Sequence, residues 1–296
     1  VDPAALGAGR VEAAERLRRL GDALDAADGM DALRAGVAHV APTGELAVDA
    51  ARVTGAVAVI AAAWARRRAG LPAVAPDPSA SHAADLLRMV TGEVADAARV
   101  RAMDAYLVTV SDHGMNASTF AARVVASTGS DVVSAVVAAI GALKGPLHGG
   151  APGPVLDMLD AIGTPDGAEP WLRAELAAGR RIMGMGHRIY RVRDPRAAVL
   201  ERALTALDAD AGRLPLARAV ESTAARLLRD RRPDRPLCAN VEFYTAVLLD
   251  AVGLPRTLFT PTFAIARVAG WTAHVAEQVA TGRLIRPASR YVGAMP

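Results

Sequence analysis

Cysteine is all but absent from this chain of 296 residues. Its one thiol, Cys238, excludes an internal disulfide framework and a Cys-x-x-Cys metal site, and it fits a reducing cytosol. Aromatic residues make up only 4%, so the core has to be aliphatic, and stacking platforms for nucleobases have little material. Lysine occurs once, at Lys144; the other side chains of fixed positive charge are arginine. The longest basic run is the triplet at 66–68, and the 34 basic residues are interleaved with 31 acidic ones to leave a net charge of +3. That mixture argues against nucleic acid and suits anionic small molecules. The most apolar run, 53–65, is too short to span a bilayer and ends in the arginine triplet, so no membrane association is expected. No secretory leader is visible, and because the chain opens on Val1, further residues are expected upstream. A nucleophile elbow G-x-S-x-G is missing, and the six histidines lack ligand spacing, so neither a serine hydrolase nor a metal site is expected.

What is abundant is Ala, Leu and Val, in a chain that is 52% hydrophobic. Ala and Leu lose least on entering a helix, and apolar residues recur at three- and four-residue spacing over 11–24, 49–68, 81–89, 117–127, 131–143, 152–162, 196–207, 217–229, 244–252 and 261–281. Turns rich in Gly, Pro, Asp and Ser separate them, as at 73–80 and 163–169. No alternating run is long enough to demand a sheet. The spacing therefore predicts a mainly α protein. Glycine-proline stretches at 145–154 and 253–261 mark two places where a domain boundary is expected.

The polar chemistry gathers in a few short stretches: SDHGMNASTF around His113, LKGPLHGGAP around His148, GMGHRIYRVRDPRA around His187, and NVEFY around Glu242. Glycine beside a functional side chain lets a ligand or another backbone approach closely. Together with PSASHAADLLRMVTG, FAIARVAGW and IRPASRYVG, and in this order from about Pro76 to the C-terminus, these stretches resemble the citrate synthase family. That family condenses the methyl carbon of an acyl-CoA with the ketone of a 2-oxo acid.

The resemblance implies a large helical domain, 1–150 and 254–296, with a smaller helical domain inserted at 151–253. It also implies a homodimer in which Arg286 comes from the partner. The implied substrates are oxaloacetate and acetyl-CoA or propionyl-CoA, with no cofactor beyond them. Residue by residue, it makes His148 the hydrogen-bond donor to the thioester, His187 the donor to the ketone, and Glu242 the base. His113, Arg196, Arg267 and Arg286 would hold oxaloacetate; Arg191 would reach the CoA phosphates, and the backbone at Gly184 and Gly186 the adenine. Two departures stand out: Glu242 occupies a position where the familiar pattern has Asp, and LHGGA continues as Pro152-Gly153 rather than Asn-Glu. A second class remains open, an idle homologue that binds a dicarboxylate or CoA in a regulatory role.

Overall fold

Short polar side chains stand one position ahead of the apolar runs, and there the helices begin. Asp28, Ser81, Asp96, Asn116, Asp131 and Asn240 each accept a hydrogen bond from a backbone N–H of the first turn, which satisfies donors that a helix leaves without partners. The computed structural model describes residues 2–149, 152–186, 192–207, 212–231, 233 and 237–294. In chain order the helices are α1 (Pro3–Arg16), α2 (Gly29–Val37), α3 (Leu46–Arg68), α4 (His82–Thr91), α5 (Ala97–Val110), α6 (Ala117–Ala126), α7 (Val132–Lys144), α8 (Pro152–Ile162), α9 (Ala168–Ala177), α10 (Pro195–Leu207), α11 (Leu214–Arg231), α12 (Val241–Ala251) and α13 (Phe259–Thr281). Among the described residues there is no strand, only an isolated antiparallel bridge between Met185 and Ala239.

Three of these helices, α2, α5 and α9, are absent from the sequence expectation, and the run at 11–24 is displaced. Asp2 caps Ala5 and Pro3 opens the helix, so α1 starts early and ends at Arg16, giving way to tight turns. In α9, Pro170 falls in the first turn, where its missing N–H costs nothing. The glycines of α2 look like breakers in the sequence. In the fold they are contact points, since a Cβ on Gly29 would lie 2.8 Å from Trp64 and one on Gly36 2.9 Å from Ile60.

Those two partners belong to α3, the central helix. Counted whole, its 23 residues are long and apolar enough to cross a membrane, contrary to what the shorter run suggested. It is instead sheathed by α1, α2, α4, α7 and α13, and from Ala56 to Trp64 every side chain is nearly inaccessible. A helix apolar all round needs neighbours all round. The later helices α8 to α12 pack largely against one another, while α5 packs against α10, α12 and α13 and so joins the two groups.

One polar knot fastens the early helices. Arg10 of α1 and Asp85 of α4 form a fully buried ion pair, 2.7 Å from Nε to Oδ2, and Arg10 also reaches the carbonyls of Asp77 and Ala80. His82 Nδ1 lies 3.3 Å from Arg10, and its buried Nε2 has no partner among the described residues. Burial, reinforced by the Arg10 charge and opposed by Asp85, brings the His82 imidazole down to about 4. The unfolded chain therefore binds the proton first. Stability contributed by neutral His82 is fully present above about pH 6.5 and is lost as pH falls toward 4, a range equivalent to about 3 kcal/mol. Urea unfolding at a series of pH values is expected to show this decline, and His82→Gln to flatten it. Equal pH slopes in the two proteins would remove His82 as the cause.

Candidate functional site

Two arginines mark the centre of the site, Arg196, which is paired with Asp194, and Arg267. Arg267, on α13, is 2% exposed; its Nε donates to the Val110 carbonyl at the end of α5, 2.8 Å away, and its guanidinium lies 4.7 Å from the Phe263 ring centre. Among the described residues it makes no ion pair. Burial, and then the charge of Arg196, bring Arg267 down to about 10. A desolvated guanidinium without an ion pair favours a bound anion.

Arg196 enters through the Asp-Pro-Arg turn that starts α10. Asp194, fully buried, accepts from Arg196 Nε at 3.1 Å and from a terminal nitrogen at 2.8 Å, and it also accepts from the backbone N–H of Val241 at 3.2 Å. One carboxylate thus aims an arginine and holds the first residue of α12. A bidentate guanidinium–carboxylate pair fixes direction as well as charge.

Glu242 sits in the first turn of that helix, behind the Asn240 cap. Its Oε2 is buried with no partner among the described residues, and its charge is felt by both Arg267 and the wholly buried Tyr106. Burial raises the Tyr106 phenol; Arg267 opposes this and Glu242 adds to it. A carboxylate oxygen with no hydrogen bond in a dry place is a costly feature for structure alone. It is suited to taking a proton.

His148 stands in the turn after α7, half-buried, its ring edge-on to Phe263 with centres 6.1 Å apart. Burial lowers its basicity; a contact with its own backbone carbonyl opposes this, and Arg267 lowers it further. Its Nε2 lies 2.8 Å from the Ser118 hydroxyl, which also receives the Trp271 indole N–H at 3.1 Å and sits 2.8 Å from Asn116 Oδ1. Ser118 has one proton for two acceptors, Asn116 Oδ1 and His148 Nε2. When the proton goes to Nε2, the ring hydrogen is on Nδ1, the nitrogen turned away from Ser118.

His113 lies half-buried in the loop between α5 and α6. A brace under that loop runs from Arg123, which contacts Gln278 and Glu277, to His274 Nδ1 at 3.0 Å and on through His274 Nε2 to Asp112 Oδ1 at 3.0 Å. Arg123 donates only, so Nδ1 accepts and Nε2 carries the hydrogen. Burial tends to raise the Asp112 carboxyl, but hydrogen bonds from the Gly114 N–H and His274 outweigh it and leave Asp112 below the usual range. Gly270 lets α13 press on the loop, since a Cβ there would lie 2.2 Å from the Ser111 carbonyl oxygen.

The remaining sequence candidates divide. Gly184 and Gly186 adopt positive φ of 70° and 93°, and the segment they bracket pairs with 238–240: Gly186 N–H donates to the Cys238 carbonyl, Asn240 N–H to that of Gly184, and Asn240 Nδ2 to that of Gly186. The glycines thereby dock the strand-like entry to Glu242. Arg286 is exposed in the tail beyond α13. His187 and Arg191 lie outside the described residues. Lys144 is taken up by Asp31, at 2.7 and 2.6 Å from its two oxygens. Ser118, Asp194 and His274 are additional polar participants; the first two stand inside the quoted motifs, and His274 follows Arg267 by seven residues on the same helical face.

A site of this make-up can be compared with known proteins. The family model for citrate synthase, C-terminal domain, matches residues 4–288. A putative citrate synthase 2 of Mycobacterium tuberculosis is 49% identical over 201 residues, 68% of this chain and 53% of that protein; a 2-methylcitrate synthase of the same species is 39% identical over 271 residues, 89% and 68% respectively. The chain thus spans about half the length of the first of these relatives. Among solved structures, the ternary complex of carboxymethyl coenzyme A and oxaloacetate with citrate synthase from Thermoplasma acidophilum superposes with a TM-score of 0.85 at 29% identity, covering 98% of this chain and 81% of that one. With the family model covering nearly the whole chain and the fold shared end to end, this protein belongs to the citrate synthase family.

Proposed function

We propose that the protein condenses an acyl-CoA, acetyl-CoA or propionyl-CoA, with oxaloacetate to give citrate or 2-methylcitrate and free CoA. The observation that carries this reading is the buried cation Arg267, which calls for an anion and makes no ion pair among the described residues, set within the field of Arg196 and of Glu242, whose buried Oε2 has no partner among the described residues. Oxaloacetate supplies the anion: its carboxylates suit guanidinium forks, with His113 as a further donor. Glu242 takes the proton from the acyl methyl. His148, its ring hydrogen on Nδ1 when Ser118 donates to Nε2, stabilises the negative charge that develops on the thioester oxygen. His187 polarises the ketone that the new carbon attacks.

The relatives add to this reading through their names, and the Thermoplasma structure through the two ligands its title gives. On the same reading Arg191 holds the CoA phosphates and the Gly184–Gly186 turn lies beside the adenine. Helices α8 to α12, from 151–253, form a small domain that closes on the rest, a division supported by their packing on one another. A homodimer places Arg286 in the partner's site, supported by the exposed tail in which Leu284, Tyr291 and Val292 are 61%, 70% and 90% accessible. One free cysteine suits a cytoplasmic setting. The test is thiol release with oxaloacetate and each acyl-CoA in turn. Release with one or both is expected, and none with either would overturn the proposal.

A further inference from the structure

Arg193 is the residue just before the Asp194 clamp, and the expected chemistry gives it no task. Its Nε donates to Glu221 Oε1 at 2.6 Å, and one terminal nitrogen donates both to Glu221 Oε2 at 2.9 Å and to Glu201 Oε2 at 2.7 Å. The same Glu221 Oε2 accepts the Tyr244 hydroxyl at 2.5 Å, and the Arg193 guanidinium lies 5.2 Å from the centre of the Tyr244 ring. Tyr244 is inaccessible, and burial, followed by the Glu221 hydrogen bond, raises its phenol, so it remains a donor at neutral pH. Four elements meet here: residues 192–194, α10 through Glu201, α11 through Glu221, and α12 through Tyr244.

The register of these contacts matters. Asp194 holds α12 at Val241, and Arg193 with Glu221 holds it at Tyr244. Glu242 lies between the two holds. At 100° per residue, positions 241, 242 and 244 point in three directions around the helix, so gripping 241 and 244 fixes both the height and the rotation of 242. Two adjacent residues of one segment therefore set the aim of the carboxylate from behind.

We propose that Arg193, Glu221 and Tyr244 form a positioning brace that locks the first turn of α12 to the segment ahead of α10, and so aims Glu242. The catalytic part of this rests on the condensation reading above; the mechanical part does not. Loss of the brace lets Glu242 shift on a scale where about 1 Å costs on the order of 10²-fold, while Arg196 keeps its own hold on Asp194.

The test uses Tyr244→Phe, which keeps the ring and removes the hydroxyl, Arg193→Gln, and the double variant. Hydrogen–deuterium exchange without substrate is expected to speed up at 192–196 and at 241–245 together in either single variant. Turnover is expected to fall roughly 10-fold, within that limit, with the oxaloacetate KM within about twofold of the parent, and the double variant is expected to be no slower than the worse single one, as for residues acting as a unit. Parental exchange over 241–245 in both single variants would overturn the brace. So would unchanged turnover in a parent that condenses, or equal losses in turnover and oxaloacetate affinity. If the parent releases no thiol, the condensation reading fails, and exchange still decides the brace.

Discussion

Glu242→Gln is expected to lower turnover by about 10²- to 10⁴-fold, the range associated with a positioned general base. The substitution keeps the shape of the side chain and replaces an acceptor oxygen by an amide. Because Oε2 has no partner among the described residues, the substitution removes no hydrogen bond seen there, and Tm should move little. Oxaloacetate should still bind, since Arg267 is fixed through Val110 and Arg196 through Asp194, neither depending on Glu242. The decisive measurement is exchange of the acyl methyl protons with solvent in the presence of an unreactive oxaloacetate analogue. Exchange at the parental rate in Glu242→Gln would place the base elsewhere. Glu242→Asp is expected to be slow as well: the first turn of α12 is held at Val241 and Tyr244, so the backbone cannot advance to return the carboxylate about one C–C bond forward.

Arg267→Met is expected to act on the other substrate. Removing a desolvated cation that has no ion pair among the described residues takes away a charge-assisted contact made with the ligand, so the oxaloacetate KM should rise by about 10²-fold, equivalent to about 3 kcal/mol for a hydrogen-bonded charge. The thermal shift produced by oxaloacetate in the parent should vanish in the variant. The ligand-free protein loses the hydrogen bond to the Val110 carbonyl and also sheds a buried charge, two effects of opposite sign. A calorimetric titration in which Arg267→Met binds oxaloacetate like the parent would remove this arginine from the anion site.

The two replacements separate what the fold keeps apart. Arg267 comes from α13 and Glu242 from α12, yet Arg267 feels the charge of Glu242, and Tyr106 of α5 feels both. If binding and proton removal were functions of a single loosely organised pocket, both variants would lose affinity and turnover together.

Much of this protein is legible in the sequence because the signals are local. The Ala- and Leu-rich repeats give most of the helices, the caps at Ser81, Asn116 and Asp131 stand at the starts of their runs, and the motif stretches already contain His113, His148, Glu242, Arg196 and Arg267. Even Ser118 and Asp194 are there, five residues from His113 and two from Arg196. Two of the three helices absent from the sequence expectation carry features that in isolation weaken a helix, glycines in α2 and a proline in α9, and that become favourable only when a neighbouring helix presses close or when the position falls in the first turn.

What tertiary structure alone decided is which polar groups meet. Lys144, suggestively placed four residues before His148, turns away to Asp31, 113 positions distant in sequence. His274, unremarkable on an apolar helix, becomes the post beneath the His113 loop. Tyr244 and Arg193, ordinary by composition, close on Glu221 behind Glu242. Helix formation is settled by hydrogen bonds and side-chain periodicity within a few residues, so sequence determines it. Partnership across tens of residues is settled by how buried charges find counter-charges once apolar faces have packed, and only the folded chain fixes those distances.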